Sequence, residues 1–569
     1  MDKFRQAVIR YLAEATGLDE NTIESMIEIP KEHNFGDFAF PCFALAKTMK
    51  KAPNAIAEDL KDKFQKTDLL DEIKAIGPYL NFFVKKDAFA DSVLTEIFTQ
   101  GENYGSSDDR KKVMLEFPSP NTNKPLHLGH VRLVVFGMAL ANILKKTGNE
   151  AIVVNLLNDR GIHICKSMLA YMKWGDGETP MSAGEKGDYF IGKYYVMFAK
   201  KAEEDPGLEK EAQTLLQRWE SGDAEVRDLW KKMNAWSREG MDITLKRIGY
   251  NTQKDYLESE IYLDGKKLVL DGLDKGILKK DDDGNIYADL EEYSLSKKII
   301  LRADGTTIYS TQDIALAYHK YKDFEFDRSL YLVGTEQNFY LQQIFKIMEV
   351  LGFSWGRSCK HVRSGMIYLP HGRMKSREGT VVDADGLIDE LIGLSREEIC
   401  KRHPDLSEEE IKKRAEMIGL GAMRFFFLKY DPAKDFVFHP KESISFEGET
   451  GPYVQYTHAR ICSIIRKSEK TITENVDMSL LKEIEEKKLI SHLATYKDIV
   501  SESAALLNPS RIARYLLDLS QLFNEFYHNH KVNCEEEGLS DARLLLVFCV
   551  GNVLKDGLSL LSIDAPEKM

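Results

Sequence analysis

The sequence contains no continuous apolar run of the roughly 18 residues that a membrane-spanning helix needs. Hydrophobic residues make up 43% of the 569-residue chain and charged residues 30%, a mixture typical of proteins that fold in water around buried cores. One core rarely organises a chain of this length, so three or four domains are expected. We therefore predict a soluble protein that does not use a membrane.

Paired cysteines are also missing. The seven cysteines are scattered singly, without C-x-x-C pairs or a histidine-rich tract of the kind that binds zinc. Scattered single thiols indicate a reducing compartment and not a disulfide framework. We expect a cytoplasmic protein with no dedicated metal site.

An excess of positive charge is absent as well. The net charge is −13, which argues against a protein whose whole surface binds nucleic acid, although local basic faces can coexist with an acidic total. The stretch with the strongest nucleotide-binding pattern, described next, contains no glycine-rich phosphate loop. Other groups would therefore have to bind the phosphates of a nucleotide there.

The stretch Glu116–Arg132, EFPSPNTNKPLHLGHVR, carries the strongest chemical pattern in the chain. Apolar residues predict a strand that ends here, prolines interrupt it, and helical spacing of apolar residues resumes at Leu126. His127 and His130 then lie on one face of a helix start, where unpaired backbone N–H groups favour an anion. Gly129 leaves room for a ligand. Taken alone, the pattern suits two structural histidines equally well.

Segments after this stretch alternate strand with helix, which is typical of a parallel sheet. Glu150–Leu157 and Ser329–Gly334 read as buried strands, and Gln337 follows the second at the carboxyl end, where open α/β sheets bind ligands. Tyr309 and Asp313 lie four residues apart at a predicted helix start, so they can face one cavity. We predict a Rossmann-type parallel-sheet domain with a helical insertion.

The two flanking regions have different patterns. The predicted domains are an α+β domain over residues 1–100, the Rossmann-type domain over 110–440 with an insertion at about 170–295, and an all-α helical bundle over 441–569. A cationic polar loop, HGRMKSREG, contains Lys375 and Ser376. Such a loop could neutralise charge that develops on a transferred phosphoryl group, but taken alone it is slightly more typical of a solvated surface loop.

Two of these motifs resemble a known pair of signatures. PSPNTNKPLHLGHVR resembles the HIGH signature of class I aminoacyl-tRNA synthetases, and RMKSREG resembles their KMSKS-type loop. The fuller string, with DGTTIYSTQD, FEGETGPYVQYTHAR and the terminal APEKM, is similar to the bacterial type of the arginyl-tRNA synthetase family. The resemblance covers nearly the whole chain.

The resemblance implies a two-step ligase. L-Arginine would react with ATP, carrying Mg²⁺ on the nucleotide, to give arginyl-adenylate, and the aminoacyl group would then pass to tRNA(Arg). It also implies an N-terminal domain that reads the outer corner of the tRNA and a terminal bundle that reads the anticodon. We expect a monomer.

The resemblance also implies roles for individual residues. The catalytic residues would be His127, His130 and Lys375. ATP would contact Ser119, Asn121, His127, Gly129, His130, Lys375 and Ser376. The arginine substrate would contact Glu116, Asn121, Tyr309, Asp313 and Gln337. Asp313 is the first candidate, because a carboxylate can bind a guanidinium in bidentate fashion through two hydrogen bonds. The tRNA would contact Tyr79, Asn81, Tyr456, Arg460, Tyr527 and Met569.

Three other readings remain open on the sequence. A class I synthetase for cysteine or glutamate is disfavoured by the lack of a cysteine-rich metal site and by the acidic character of the predicted pocket. A small-molecule nucleotidyltransferase would have no need of the helical bundle. A catalytically silent RNA-binding relative is disfavoured because His127, His130 and Lys375 are all present.

Overall fold

The computed structural model describes residues 2–30, 35–370 and 383–569. The chain forms two compact units, each assembled from separate stretches of sequence. The first contains Met1–Tyr104, Arg460–Lys497 and Asp518–Leu554, and the second contains Gly105–Ala459, Asp498–Leu517 and Lys555–Met569.

The N-terminal region is an α+β structure, as predicted. Its three-stranded antiparallel sheet has the order β1-β3-β2, with β1 Phe38–Pro41, β2 Leu70–Ile76 and β3 Tyr79–Val84. The helices are α1 Asp2–Thr16, α2 Glu20–Met26, α3 Ala46–Met49, α4 Pro53–Asp62 and α5 Lys86–Gln100. Phe38, Phe40 and Phe82 are fully buried between the sheet and these helices, so alternating aromatic residues create the core.

The second unit is built on a parallel sheet, which confirms the predicted Rossmann-type domain. Its strands are β4 Lys112–Glu116, β5 Glu150–Leu157, β6 Lys254–Leu257, β10 Arg328–Gly334 and β11 Cys359–Ser364, in the order β11-β10-β4-β5-β6. All four pairings are parallel. The edge strand β6 lies within the stretch predicted as an insertion, where the sequence shows only helical periodicity.

Helices connect these strands. They are α6 Leu128–Lys146, α7 Ile162–Trp174, α8 Pro180–Ala183, α9 Gly187–Glu204, α10 Gly207–Glu220, α11 Ala224–Arg247, α12 Glu258–Asp274, α13 Tyr309–Phe324 and α14 Asn338–Val350. A small antiparallel sheet contains β7 Lys279–Lys280, β8 Ile286–Ala288 and β9 Lys298–Leu301, and a short parallel pair contains β12 Ile367–Tyr368 and β13 Phe436–Val437. The interval between β5 and β6 is thus almost entirely helical, and α7, α9, α10 and α11 share a core of their own.

The strand order creates a crevice. The chain runs from β4 to β5 and β6 on one side, then returns to place β10 and β11 on the other side of β4. Helices that leave β4 and β10 therefore separate at the carboxyl ends of these strands. In open α/β sheets this switch point is where ligands bind.

Helix α6 packs closely on the sheet beneath this crevice. It is the one helix among the described residues whose length and composition would let it cross a membrane, yet 72% of its apolar window is buried inside the protein. A Cβ atom at Gly137 would stand 2.4 Å from the ring of Phe117, so this glycine permits the close approach. We identify α6 as a core helix.

The remainder of the chain is helical, as predicted for the C-terminal region. The helices are α15 Ala384–Arg402, α16 Glu408–Leu428, α17 Pro440–Ser443, α18 Gly451–Ser468, α19 Ile484–Ala494, α20 Tyr496–Leu506, α21 Ser510–Asn529 and α22 Glu537–Leu560. From residue 438 to 569, all of which is described, the chain forms no strand.

Candidate active site

The two predicted histidines lie at the start of α6, beside the carboxyl end of β4. His127 is the N-cap residue, and its Nδ1 accepts a hydrogen bond from the backbone N–H of Gly129 at 3.1 Å. The backbone N–H of His127 donates to Nδ1 of His130 at 3.2 Å. The two rings stack with their centroids 3.8 Å apart. The helix start thus fixes both imidazoles in one orientation.

Both imidazoles are neutral at pH 7. Burial and the nearby charge of Lys124 lower the pKa of His127 to about 4, and burial together with His127 and Lys124 lowers the pKa of His130 well below its usual value. Because each Nδ1 accepts a hydrogen bond, each proton resides on Nε2. The helix start therefore offers two Nε2–H donors.

Lys124 lies beside the two histidines and was not predicted as a site residue. Its charge lies close enough to both rings to lower the pKa of each, and its own pKa is lowered by burial. A lysine three residues before the N-cap, in a turn that already contains candidate phosphate ligands, was a usable sequence indication. It adds a cation to an anion-binding helix start.

Ser119 and Asn121 lie in the turn between β4 and α6. The N–H of Ser119 donates to Oδ1 of Asn155 at 3.1 Å, and its carbonyl accepts from Nδ2 of Asn158 at 3.1 Å. Its backbone has a φ of 54°, which is uncommon for a serine and is held here by these two contacts. The Oγ of Ser119 is buried without a hydrogen-bond partner among the described residues, whereas Asn121 is exposed.

A cluster of acidic and aromatic side chains, which we call the acidic pocket, lies near Glu116 at the carboxyl end of β4. Asp313 lies one turn after Tyr309 in α13 and accepts a hydrogen bond from the hydroxyl of Tyr340. The rings of Tyr309 and Tyr340 are 5.4 Å apart, and Tyr309 keeps 57% of its surface exposed. Burial raises the pKa of Asp313 to about 7, and the charge of Glu116 adds to this shift. The structure thus brings Tyr309 and Asp313 together, as predicted, with Tyr340 as an unpredicted third member.

Glu258 is the second carboxylate of this pocket and was not predicted. It begins α12, directly after β6, and its carboxylate lies 3.7 Å from the guanidinium of Arg160. Arg160 makes a closer ion pair, 2.8 Å, with Glu220. Burial raises the pKa of Glu258 to about 7, and the charge of Asp313 contributes. The two carboxylates are therefore near enough to repel each other.

Glu116, for which the motif implies a contact with the arginine substrate, already has a cationic partner within the protein. Its carboxylate forms an ion pair with Lys320, whose side chain is fully buried. The Nζ of Lys320 also lies 3.7 Å from the centre of the Tyr331 ring, a cation–π contact. The protein's own lysine thus neutralises Glu116 beneath the pocket.

The remaining predicted residues of the crevice fall in two groups. Gln337 is half-buried in the turn Thr335–Gln337, immediately after β10 and at the same sheet edge. Lys375 and Ser376 lie outside the described residues. The structure therefore gives the geometry of the acidic pocket and of the start of α6 with His127 and His130, which we call the histidine turn. It gives none for the loop HGRMKSREG.

The N-terminal unit contains a separate cavity at two of the predicted tRNA residues. Tyr79 and Asn81 line a cavity of about 260 Å³ together with Glu28, Pro30, Phe35, Ala39 and Ile76. Nδ2 of Asn81 donates to the carbonyls of Lys74 and Tyr79, at 3.4 Å each. The Tyr79 ring meets that of Phe43 edge-on at 5.9 Å.

The other predicted tRNA residues are Arg460 and Tyr527 in the first unit and Tyr456 and Met569 in the second. Arg460 donates to Oδ1 of Asn524, and its guanidinium lies 5.7 Å from the centre of the Tyr527 ring. Tyr456 meets Phe446 edge-on at 6.2 Å. Met569 packs with Phe446 against the cluster formed by Ile399, Ile411, Ala415 and Ile418.

Comparison with known proteins identifies the chain. The catalytic domain described as tRNA synthetases class I (R) matches residues 93–439, the DALR anticodon binding domain matches 454–569, and the arginyl tRNA synthetase N terminal domain matches 2–84. A parallel sheet with a histidine turn at its switch point, followed by a helical DALR domain, defines a class I aminoacyl-tRNA synthetase.

Full-length relatives specify the family within that class. The arginine–tRNA ligase of Treponema denticola is 42% identical, with 95% of this chain and 94% of the relative covered, and that of Parabacteroides distasonis is 39% identical over 99% and 98%. The Thermus thermophilus arginyl-tRNA synthetase structure gives a TM-score of 0.81 at 26% identity, over 99% and 100%. The chain belongs to the arginyl-tRNA synthetase family, and it catalyses ATP-dependent charging of tRNA with arginine.

Proposed function

We propose that the acidic pocket binds the guanidinium of L-arginine through Asp313 and Glu258. The observation that supports this is electrostatic. Burial raises the pKa of both carboxyls to about 7. Within the described part of the chain, Asp313 accepts its side-chain hydrogen bond from a neutral phenol, and Glu258 shares Arg160 with Glu220. A ligand that brings a buried planar cation would relieve this excess of negative charge.

The rest of the arginine molecule would extend along the crevice. Tyr309 would cover the guanidinium, while Asn121 and Gln337 would bind the α-amino and carboxylate groups. Glu116 acts at a distance in this scheme, since Lys320 already neutralises it. Lysine or citrulline would leave the carboxylates without a bidentate cationic partner, and the pocket would therefore select arginine over both.

His127, His130 and Lys124 would bind the phosphates of ATP. Ser119, Asn121 and Gly129 complete the ATP contacts, and Lys375 and Ser376 join them on the basis of the sequence motif. In the first step an arginine carboxylate oxygen attacks the α-phosphorus and pyrophosphate leaves. The Nε2–H groups and the start of α6 donate to the phosphate oxygens as charge develops on them.

In the second step the terminal ribose hydroxyl of the tRNA attacks the arginyl carbonyl, and AMP leaves. We propose that Mg²⁺ arrives bound to ATP. Among the described residues, potential metal ligands cluster at Glu483, Glu485 and His530, which do not belong to the histidine turn. The nucleotide phosphates, with water, would therefore provide the magnesium ligands there.

Three domains would divide the recognition of tRNA, with the boundaries 1–100, 110–440 and 441–569 and an insertion at about 170–295. The cavity at Tyr79 and Asn81 is suited to an unpaired base of the outer corner, because its lining combines aromatic with polar side chains. Tyr456, Arg460, Tyr527 and Met569 would contact the anticodon loop. We propose that the enzyme acts as a monomer in the cytoplasm; no disulfide joins cysteines within residues 2–30, 35–370 and 383–569.

Amino-acid-dependent pyrophosphate exchange into ATP tests this assignment. Each amino acid is supplied in turn, with and without tRNA. We expect exchange with arginine alone, and only when tRNA is present, as the family resemblance implies. Exchange driven by another amino acid would refute the proposed selectivity, and strong exchange without tRNA would refute the requirement for tRNA.

A further inference from the structure

A partly buried ionic cluster lies beside the start of α6, at residues that the proposed substrate contacts do not use. We call it the Lys186 cluster, and it contains Lys186, Asp188, Tyr189, Thr244, Asp383 and Asp385. The Nζ of Lys186 lies 3.1 Å from the carboxylate of Asp188, 2.6 Å from the hydroxyl of Thr244 and 2.5 Å from the carboxylate of Asp385. The Asp188 side chain is completely buried. One lysine thus joins α9, α11 and α15.

The local sequence explains this convergence. A Cβ atom at Gly187 would stand 1.9 Å from the carbonyl oxygen of Trp236, and one at Gly240 would stand 2.4 Å from Oδ1 of Asp188. Only glycine allows the start of α9 to lie this close to α11. The close crossing brings Lys186 and Asp188 against Thr244.

Tyr189 links the cluster to the first turn of α15. Its hydroxyl donates to Oδ1 of Asp383, the N-cap residue of that helix, whose Oδ1 also accepts from the N–H of Gly386 at 2.6 Å. Burial and the neighbouring carboxylates raise the pKa of Tyr189 far above its usual value, so the phenol remains a donor at any physiological pH. A residue of the helical insertion, Tyr189 on α9, therefore fixes the start of α15.

The start of α15 also makes backbone contacts with the histidine turn. The N–H of Ala384 donates to the carbonyl of Leu126 at 3.0 Å, and Asp383 pairs with His127 in an isolated antiparallel bridge. Contacts thus run from Tyr189 through Asp383 to the backbone of His127, and Lys186 contacts the same helix turn at Asp385. A shift of Asp383 would displace this histidine.

We propose that the Lys186 cluster positions His127 for ATP, which makes Lys186 and Tyr189 positioning residues for adenylate formation. The physical reason is that this chemistry depends on placement of donors around the phosphates, where a displacement of about 1 Å can cost on the order of a hundredfold in rate. The inference rests on the proposed role of His127 in ATP binding.

The test uses the full-length enzyme with tRNA and arginine-dependent pyrophosphate exchange, with ATP and arginine varied separately. Tyr189→Phe removes one hydroxyl and Lys186→Met removes the charge. We expect kcat/KM for ATP to fall on the order of tenfold in each, with KM for arginine changed by less than about threefold. Lys186→Arg should restore most of the loss, because it keeps the cation.

Arg247→Met is the matched control. Arg247 pairs with Asp389 at 2.5 Å and joins the same two helices, α11 and α15, but both side chains are more exposed than those of Lys186 and Asp385. This variant should keep wild-type kinetics. Equal losses in the control and in Lys186→Met would overturn the inference, as would a drop in thermal stability with no separation between the kinetics for ATP and for arginine.

A double-mutant cycle with His127→Asn separates the inference from the role on which it rests. If Tyr189 acts through His127, adding Tyr189→Phe to His127→Asn should cost less than about threefold further. If the two losses multiply, the positioning inference is wrong while the role of His127 stands. If His127→Asn leaves the kinetics for ATP unchanged, the proposed role of His127 is wrong and the inference falls with it.

Discussion

Asp313→Asn tests the electrostatics of the pocket. The substitution keeps the shape of the side chain but removes the charge, and the Tyr340 hydroxyl that donates to Asp313 can still donate to the new amide oxygen. Removing one partner from a buried charge pair costs about 2 to 5 kcal/mol. That corresponds to a loss of roughly 30-fold to 5,000-fold in kcat/KM for arginine.

The assay is arginine-dependent pyrophosphate exchange in the presence of tRNA, and KM for ATP should stay within about threefold of wild type. Asp264→Asn is the matched control. Asp264 contributes the same charge on α12, against α13, where it pairs with His319 at 2.8 Å and is more than half exposed. A loss in Asp313→Asn no greater than in this control would refute the idea that Asp313 binds the guanidinium.

Three further results are expected. Because the pKa of Asp313 is raised to about 7 and arginine binds the ionised carboxyl, kcat/KM for arginine should rise with pH through about pH 7; a flat profile would contradict this. Lys320→Met should destabilise the fold by about 3 to 5 kcal/mol in urea unfolding, because Glu116 is left buried and unpaired, and adding Glu116→Gln should recover part of the loss. Tyr79→Ala should raise KM for tRNA roughly tenfold with no change in KM for arginine, and an unchanged KM for tRNA would remove Tyr79 from the interface.

The position of the histidines could be predicted because the determinants are local. Prolines, a glycine and the return of helical spacing all lie within the stretch Glu116–Arg132, and these alone place His127 at a helix start. The proton positions could not be predicted in this way. They depend on burial and on the charge of Lys124, which require the folded surroundings.

The acidic pocket was only partly predictable. Tyr309 and Asp313 share one helix turn, so their common orientation follows from sequence spacing. Glu258 joins them through β6, a four-residue edge strand within a long helical region that gives no strand periodicity of its own. Lys320 lies seven residues after Asp313, on the same helix face, so the sequence contained an indication of it. Its pairing with Glu116 depends on the parallel contact between β4 and β10.

A crystal structure of this chain with L-arginine bound would test the central claim most directly. We predict that the guanidinium lies between Asp313 and Glu258, with nitrogen–oxygen distances of about 2.7 to 2.9 Å, and that Lys320 stays paired with Glu116. A guanidinium bound away from both Asp313 and Glu258, or an arginine that displaces Lys320 from Glu116, would contradict it.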